Sequence, residues 1–155
     1  MKFGIGQSVT RCEDPRRITG GWQYTDDINR PNQLYIRILR SPYAHGRITE
    51  LDVSAARRRP GVEAVYTAAD LTSLGGLPCR AALKNAQGEP AFIPHRPILA
   101  EDKVLFVGQA IAAVVAQTPE QAVDAVEAIE LSVDDLPACS DLSGALNPDT
   151  LPIHD

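Results

Sequence analysis

Thr118-Pro119-Glu120-Gln121 is the stretch that most restricts how this chain can fold. A threonine that can accept from the third residue after it, proline at the first helical position and glutamine at the third form a capping-box pattern, so a helix is expected to start there. Ala122, Val123, Val126 and Ile129 then fall on one face at helical spacing, with Glu120, Asp124 and Glu127 on the other. Such a face needs a sheet to cover. Immediately before it, Ala110 to Ala116 is the longest unbroken apolar run, seven residues, and reads as a buried strand. A helical membrane span needs about 20.

Other strands are expected at 34–39 (Leu-Tyr-Ile-Arg-Ile-Leu), which Pro42 stops, at 47–53, at 62–67, and at Leu131-Ser132-Val133. Lys103 to Val107 reads as a further strand that meets Ala110–Ala116 around a hairpin-like corner at Gly108-Gln109. Ser54 is placed to cap a short helix through Ala55–Arg59 that Pro60-Gly61 ends, and Ala68–Leu71 suggests one helical turn. Residues 1–17 hold Gly4, Gly6 and Pro15 without periodicity and are read as an extended arm. The stretch 74–97 collects three glycines and four prolines, a loop longer than a compact domain carries without a use. Strands interleaved with two or three helices by irregular connections indicate an α+β domain with a mixed or antiparallel sheet.

The chain has 155 residues, enough to bury roughly 70% of its unfolded surface, and its 44% hydrophobic and 23% charged residues are those of a globular protein. The net charge of −5 is unevenly spread: residues 1–100 carry 14 Lys+Arg and 9 Asp+Glu, residues 101–155 carry 1 and 11. Because the positive residues are scattered, the expectation is that the two halves pair within one fold, with no nucleic-acid or membrane partner. The amino terminus has no secretory pattern, which suggests a cytoplasmic protein.

Chemistry-bearing motifs are few. Neither phosphate-loop glycine spacing nor a G-x-S-x-G elbow occurs. Cys12, Cys79 and Cys139 include no C-x-x-C pair and are expected to be reduced structural thiols. His45, His95 and His154 lie too far apart in sequence to suggest a shared metal. Arg57–Arg59, at the end of the short helix, reads as a solvated face more readily than as an anion site. Asp26-Asp27 and Asp134-Asp135 suit local Asx-type bonding. Lys103 has a superficial likeness to the hairpin lysine of lipoyl and biotinyl carriers, but the long loop and the helix after Thr118 do not fit such a domain.

Several ordered stretches carry a more specific likeness. They are Arg16-Arg17-Ile18-Thr19-Gly20, Tyr24-Thr25-Asp26-Asp27-Ile28, 40–48 (RSPYAHGRI), Pro60-Gly61-Val62, Ala69-Asp70-Leu71, 102–116 (DKVLFVGQAIAAVVA), Glu120-Gln121-Ala122 and Leu136-Pro137-Ala138. In this order they resemble the amino-terminal domain of the molybdenum hydroxylase large subunit, the family of xanthine dehydrogenase, aldehyde oxidase and aerobic carbon monoxide dehydrogenase. Tyr43, Gly46 and Ala110 depart from residues common there. The resemblance implies an α/β-hammerhead over residues 18–136, flanked by the arm at 1–17 and a tail at 137–155 that leads toward a cofactor-binding region. It also implies an oxidoreductase whose molybdopterin is held by that other region, with iron–sulfur and flavin subunits as partners. No residue here is nominated as catalytic, cofactor-binding or metal-binding. Arg40, Ser41, His45, Gly108 and Gln109, in two turns between strong strands, are the candidates for an interface or substrate-access role. A stand-alone interaction module is the alternative, with a lipoyl- or biotinyl-type carrier at Lys103 as the less favoured one, and self-association is expected to cover surface left without its partner.

Overall fold

The computed structural model describes Gly6 and residues 10–81 and 83–154. They divide into two compact units, Met1–Gln33 and Leu34–Asp155.

The first unit differs from the expected extended arm, of which residues 1–5 and 7–9 lie outside the described residues. Its first element is a one-turn helix, α1 (Asp14–Ile18), with Pro15 and Asp14 in the first turn and Arg16 and Arg17 in the last. That order of charges complements the helix dipole, and proline's fixed φ suits the entry position. The Arg17 guanidinium lies over the rings of Trp22 (5.3 Å) and Tyr24 (5.7 Å). A 3-10 turn, Thr25–Asp27, follows, in which the Tyr24 amide donates to the Asp27 carboxylate at 2.9 Å. Asp27 is therefore present for the local bonding its position suggested.

The second unit contains β1 (Tyr35–Arg40), β2 (Gly46–Asp52), α2 (Ser54–Arg57), β3 (Val62–Tyr66) and a 3-10 stretch Ala68–Leu74. After the long loop come β4 (Lys103–Val104), β5 (Ala110–Ala116), α3 (Pro119–Glu127), β6 (Glu130–Asp135) and α4 (Leu142–Ala145). The strands form two three-stranded sheets, β1-β5-β3 and β4-β2-β6, and every pairing is antiparallel. The α+β class is as expected.

One expected pairing is corrected. Lys103–Val107 and Ala110–Ala116 do not form neighbouring strands around Gly108-Gln109. Only Lys103 and Val104 are strand, and they pair with Arg47 and Gly46 of β2, whereas β5 lies between β1 and β3 in the other sheet. The residues of β5 are small and apolar on both faces, as suits a strand with neighbours on either side. The corner is thus a crossing from one sheet to the other.

Two clusters form the core. Val65, Ala112 and Val114 pack with Val53, Ala56, Ala125 and Ile129 of the α2 and α3 regions. Ala100, Val104 and Ile111 pack with Ile48, Leu51, Leu131 and Val133 of the second sheet. Leu39 and Leu51 border both. Ala122 and Ala125 are the fully buried residues of α3, flanked by half-buried Val123 and Val126, so small side chains let the helix sit close to the sheet.

The caps also depart from expectation. Thr118 does accept from the Gln121 amide at 3.2 Å, but the Gln121 side chain does not complete a box. Its amide group occupies the place where a Cβ on Gly61 (φ +77°) would project. Ser54 is the first residue of α2 and not its cap; the Asp52 carboxylate takes the Ser54 amide at 2.8 Å and also the Ser54 hydroxyl. The hydroxyl bond, then the amide bond, hold the Asp52 pKa below its ordinary value. Asp70 is lowered likewise, first by the Thr67 amide (2.7 Å), then by the Thr67 hydroxyl (2.9 Å).

Two outcomes follow from these contacts. Thr118→Ala is expected to lower unfolding free energy by about 1 kcal/mol, read from urea midpoints. A lowered folded-state pKa stabilises above the ordinary value of 3.8 and stops doing so as pH falls through the lowered one. Asp70→Asn should therefore destabilise the protein at neutral pH and leave a shallower loss of stability on acidification than in the unsubstituted protein, as measured by thermal melts down to acid pH.

Candidate functional site

The crossing between the sheets is fastened by a set of polar groups. Ser41, 2% exposed, donates its amide to the Gln109 carbonyl and accepts the Gly108 amide, each at 2.8 Å. Its hydroxyl bonds within its own turn, to the Tyr43 main chain. Gln109, 7% exposed, accepts the Leu105 amide on its side-chain oxygen at 2.6 Å, and its own amide donates to the Phe106 carbonyl at 3.2 Å. Arg40 closes the set by donating from Nη1 to the Gly108 carbonyl at 2.8 Å. Gly108 has φ +88°, a left-handed conformation that disfavours any side chain. Four of the five sequence-nominated residues are thus brought together.

The fifth, His45, does not join this set. Its Nδ1 lies 2.8 Å from the Pro137 carbonyl, and since a carbonyl only accepts, Nδ1 carries the proton. Its Nε2 is buried with no partner among the described residues. The Leu136 amide donates to the His45 carbonyl at 3.0 Å, so this residue ties the end of β6 to the start of the tail.

Beside the fastened turn lies a cleft of about 520 Å³, lined by Arg40, Leu105, Phe106, Gly108 and Gln109 on one side and by residues 94–98 with Leu77 on the other. Ile153 and His154 also reach it. The 94–98 wall is the base of the long loop, which folds as a finger: Gly76 bridges Pro97, the Leu77 amide donates to the Arg96 carbonyl at 2.7 Å, and Ala91 donates to Leu83 at 3.0 Å. A Cβ on Gly76 would approach His95 Cε1 to 2.7 Å, so glycine lets the imidazole lie against the chain. His95 Nε2 in turn stands 3.4 Å from Glu101.

Sequence reading did not single out His95, Arg96 or Phe106 as site residues. The signal available was the density of Gly and Pro at 74–97, which marks a loop in use but not where it returns. Phe106 and Val107 are 58% and 64% exposed on a turn otherwise tightly bonded.

The remaining candidates are quickly placed. Lys103 lies in β4 opposite Arg47 and not at a hairpin tip, which removes the geometric basis for a carrier role. Arg57 is committed to the Val65 carbonyl (3.1 Å) and to Asp70 (3.7 Å), leaving no three-arginine anion site. The three cysteines are free thiols, with Cys12 and Cys79 exposed and Cys139 half-buried. The described residues hold no group of three or more His, Cys, Asp or Glu placed to share a metal ion. No helix among them is long and apolar enough to cross a membrane.

A pterin with its phosphate requires an array of uncommitted donors. In the turn beside the cleft, the Gly108 and Gln109 amides both have internal acceptors, and the Gly108 carbonyl is taken by Arg40. These residues do not fit that group.

The fold has close counterparts. Residues 19–137 match the family model described as the aldehyde oxidase and xanthine dehydrogenase a/b hammerhead domain. The carbon monoxide dehydrogenase large chain of Hydrogenophaga pseudoflava is 42% identical over 148 residues, covering 94% of this chain and 17% of that protein. The 6-hydroxypseudooxynicotine dehydrogenase complex subunit gamma of Paenarthrobacter nicotinovorans is 39% identical over 142 residues, covering 92% and 18%. Among solved structures, the reconstituted CO dehydrogenase from Oligotropha carboxidovorans superposes with a TM-score of 0.77 at 38% identity, over 95% of this chain and 17% of that one. The chain spans less than a fifth of the length of these proteins. With one family model running through both sheets and α3, the chain belongs to the aldehyde oxidase and xanthine dehydrogenase family, as its α/β hammerhead domain.

Proposed function

We propose that this chain serves as a wall of a molybdenum-cofactor hydroxylase large subunit, packing beside the cofactor region and shaping the path by which substrate arrives. Its domain proper is residues 18–136, with 1–17 as an arm and 137–155 as a tail toward that region. The observation that carries the reading is the turn at 105–109: rigidly bonded to Ser41 and Arg40, it nevertheless presents Phe106 and Val107 outward, where the domain's own core makes no use of them. A large apolar pair on a rigid mount is suited to contact with further polypeptide. The exposed Leu83, Phe92 and Ile93 of the finger extend the same kind of surface.

When bound in the complete enzyme, the cofactor supplies the hydroxylation chemistry and accepts the electrons. The residues of this chain position and admit the substrate, an aldehyde, a nitrogen heterocycle or a small carbon compound. The partners are the molybdopterin-binding region together with iron–sulfur and flavin subunits, in keeping with a relative named as a subunit of a dehydrogenase complex. The location is the cytoplasm. Alone, the chain is expected to cover its apolar surface by self-association.

Phe106→Ser is the direct test. Burial of a phenylalanine contributes about 1.5–3 kcal/mol. The substitution is expected to destabilise the complete large subunit by about that much, and the 155-residue chain by itself by much less. Equal effects in the two would remove the contact role. Stoichiometric molybdenum and pterin in the purified chain alone would remove the assignment of the chemistry to other polypeptide.

A further inference from the structure

The cleft between the finger base and the 105–109 turn has an electrostatic character that its walls do not require. Among the described residues, the ionisable ones that line it are Arg40, Arg96, His95 and His154, with no Asp or Glu. Glu101 and Asp102 line the adjoining smaller recess, and each already faces a positive partner, His95 at 3.4 Å and Arg47 at 3.9 Å respectively. Arg40 commits one guanidinium N–H to Gly108, and four others remain on that planar fork. Arg96 is fixed through its main chain, where its carbonyl accepts from Leu77, while its side chain makes no bond among the described residues.

Two arginines among the lining residues, together with the apolar Leu77, Ile98 and Leu105, favour an anion that also has an apolar body. At about 520 Å³ the space falls in the range of small-molecule sites, about 300–1,000 Å³. A phosphate would call on free main-chain amides, and those of Gly108 and Gln109 are taken. The arginine fork takes carboxylate and phosphate alike, and a singly charged carboxylate with two oxygens calls for fewer further donors than a phosphate with three.

We propose that this cleft binds a small aromatic carboxylate, with its ring against Leu77, Ile98 and Leu105 and its carboxylate on Arg96 and Arg40. As a statement about binding, this stands on the cleft alone; as a statement that such compounds are the substrates admitted, it rests on the function proposed above.

The test is calorimetric titration of the protein as the cell makes it with benzoate, benzamide and benzylamine, three rings of similar shape that differ in charge. Benzoate is expected to bind at least about tenfold more tightly than benzamide, with benzylamine weakest. Arg96→Met should weaken benzoate by about tenfold and leave benzamide unchanged, and Arg96→Lys should fall between. His154→Asp, which adds a carboxylate to the same cleft, should weaken benzoate and strengthen benzylamine. Equal affinities for benzoate and benzamide, or benzoate binding indifferent to both Arg96→Met and His154→Asp, would overturn the inference. Benzoate that binds through Arg96 but does not compete with turnover would leave the ligand class standing and remove the access role instead.

Discussion

The chain has to pass from one sheet to the other between Val104 and Ala110, and the buried polar groups at that passage determine much of the rest. Ser41, sealed from water, accepts and donates across it; Gln109 folds its side chain back onto the Leu105 amide; Arg40 caps the Gly108 carbonyl. Ser41 and Gln109 would be costly to leave unpaired in their buried setting, so the turn has little freedom. Because it is fixed, β5 enters the first sheet in register with β1 and β3, and Ile111 points into the second cluster while Ala112 and Val114 face the helices.

The same fixity gives the surface its character. An exposed Phe106 on a loose loop would fold away, but here the backbone beneath it is held on several sides. The finger opposite is closed by only a few main-chain bonds and by Asn85, whose side chain accepts the Gln87 and Glu89 amides at 3.0 and 2.9 Å. One wall of the cleft is therefore part of the domain's framework, and the other is a local structure of Gly and Pro turns. That pairing suits a surface that receives other groups, since a fixed wall can orient what a variable one admits.

Much of the fold was legible in the residues. Period and β-branched content located β1, β2, β3, β5 and β6, and Thr118-Pro119 gave the start of α3, because these signals are local. What was not legible depended on contacts distant in sequence. The partition into two sheets turns on whether Lys103-Val104 meets β2 or β5, which no nearby residue specifies. The Gln121 side chain was lost to Gly61 because a glycine sixty residues earlier leaves room for it. At the site, the turns at 40–45 and 107–109 stood out as joints between strong strands, and their mutual bonding places Arg40, Ser41, Gly108 and Gln109 together. His45 shared the motif but belongs to the exit of β6. His95 and Arg96 were hidden in a loop whose sequence says only that it turns often, and the pairing of Gly76 with Pro97 brings them back to the cleft.

The rigidity of the crossing is the claim on which the wall, the outward-facing Phe106 and the cleft all depend, and amide hydrogen exchange measures it residue by residue. The amides of Ser41, Leu105 and Gly108, bonded at 2.6–2.8 Å within the turn, are expected to exchange as slowly as those of β5 and far more slowly than those of the finger at 83–91. Exchange of Ser41 and Gly108 at the rate of the finger would contradict the account, because a turn that opens so readily cannot mount a fixed wall.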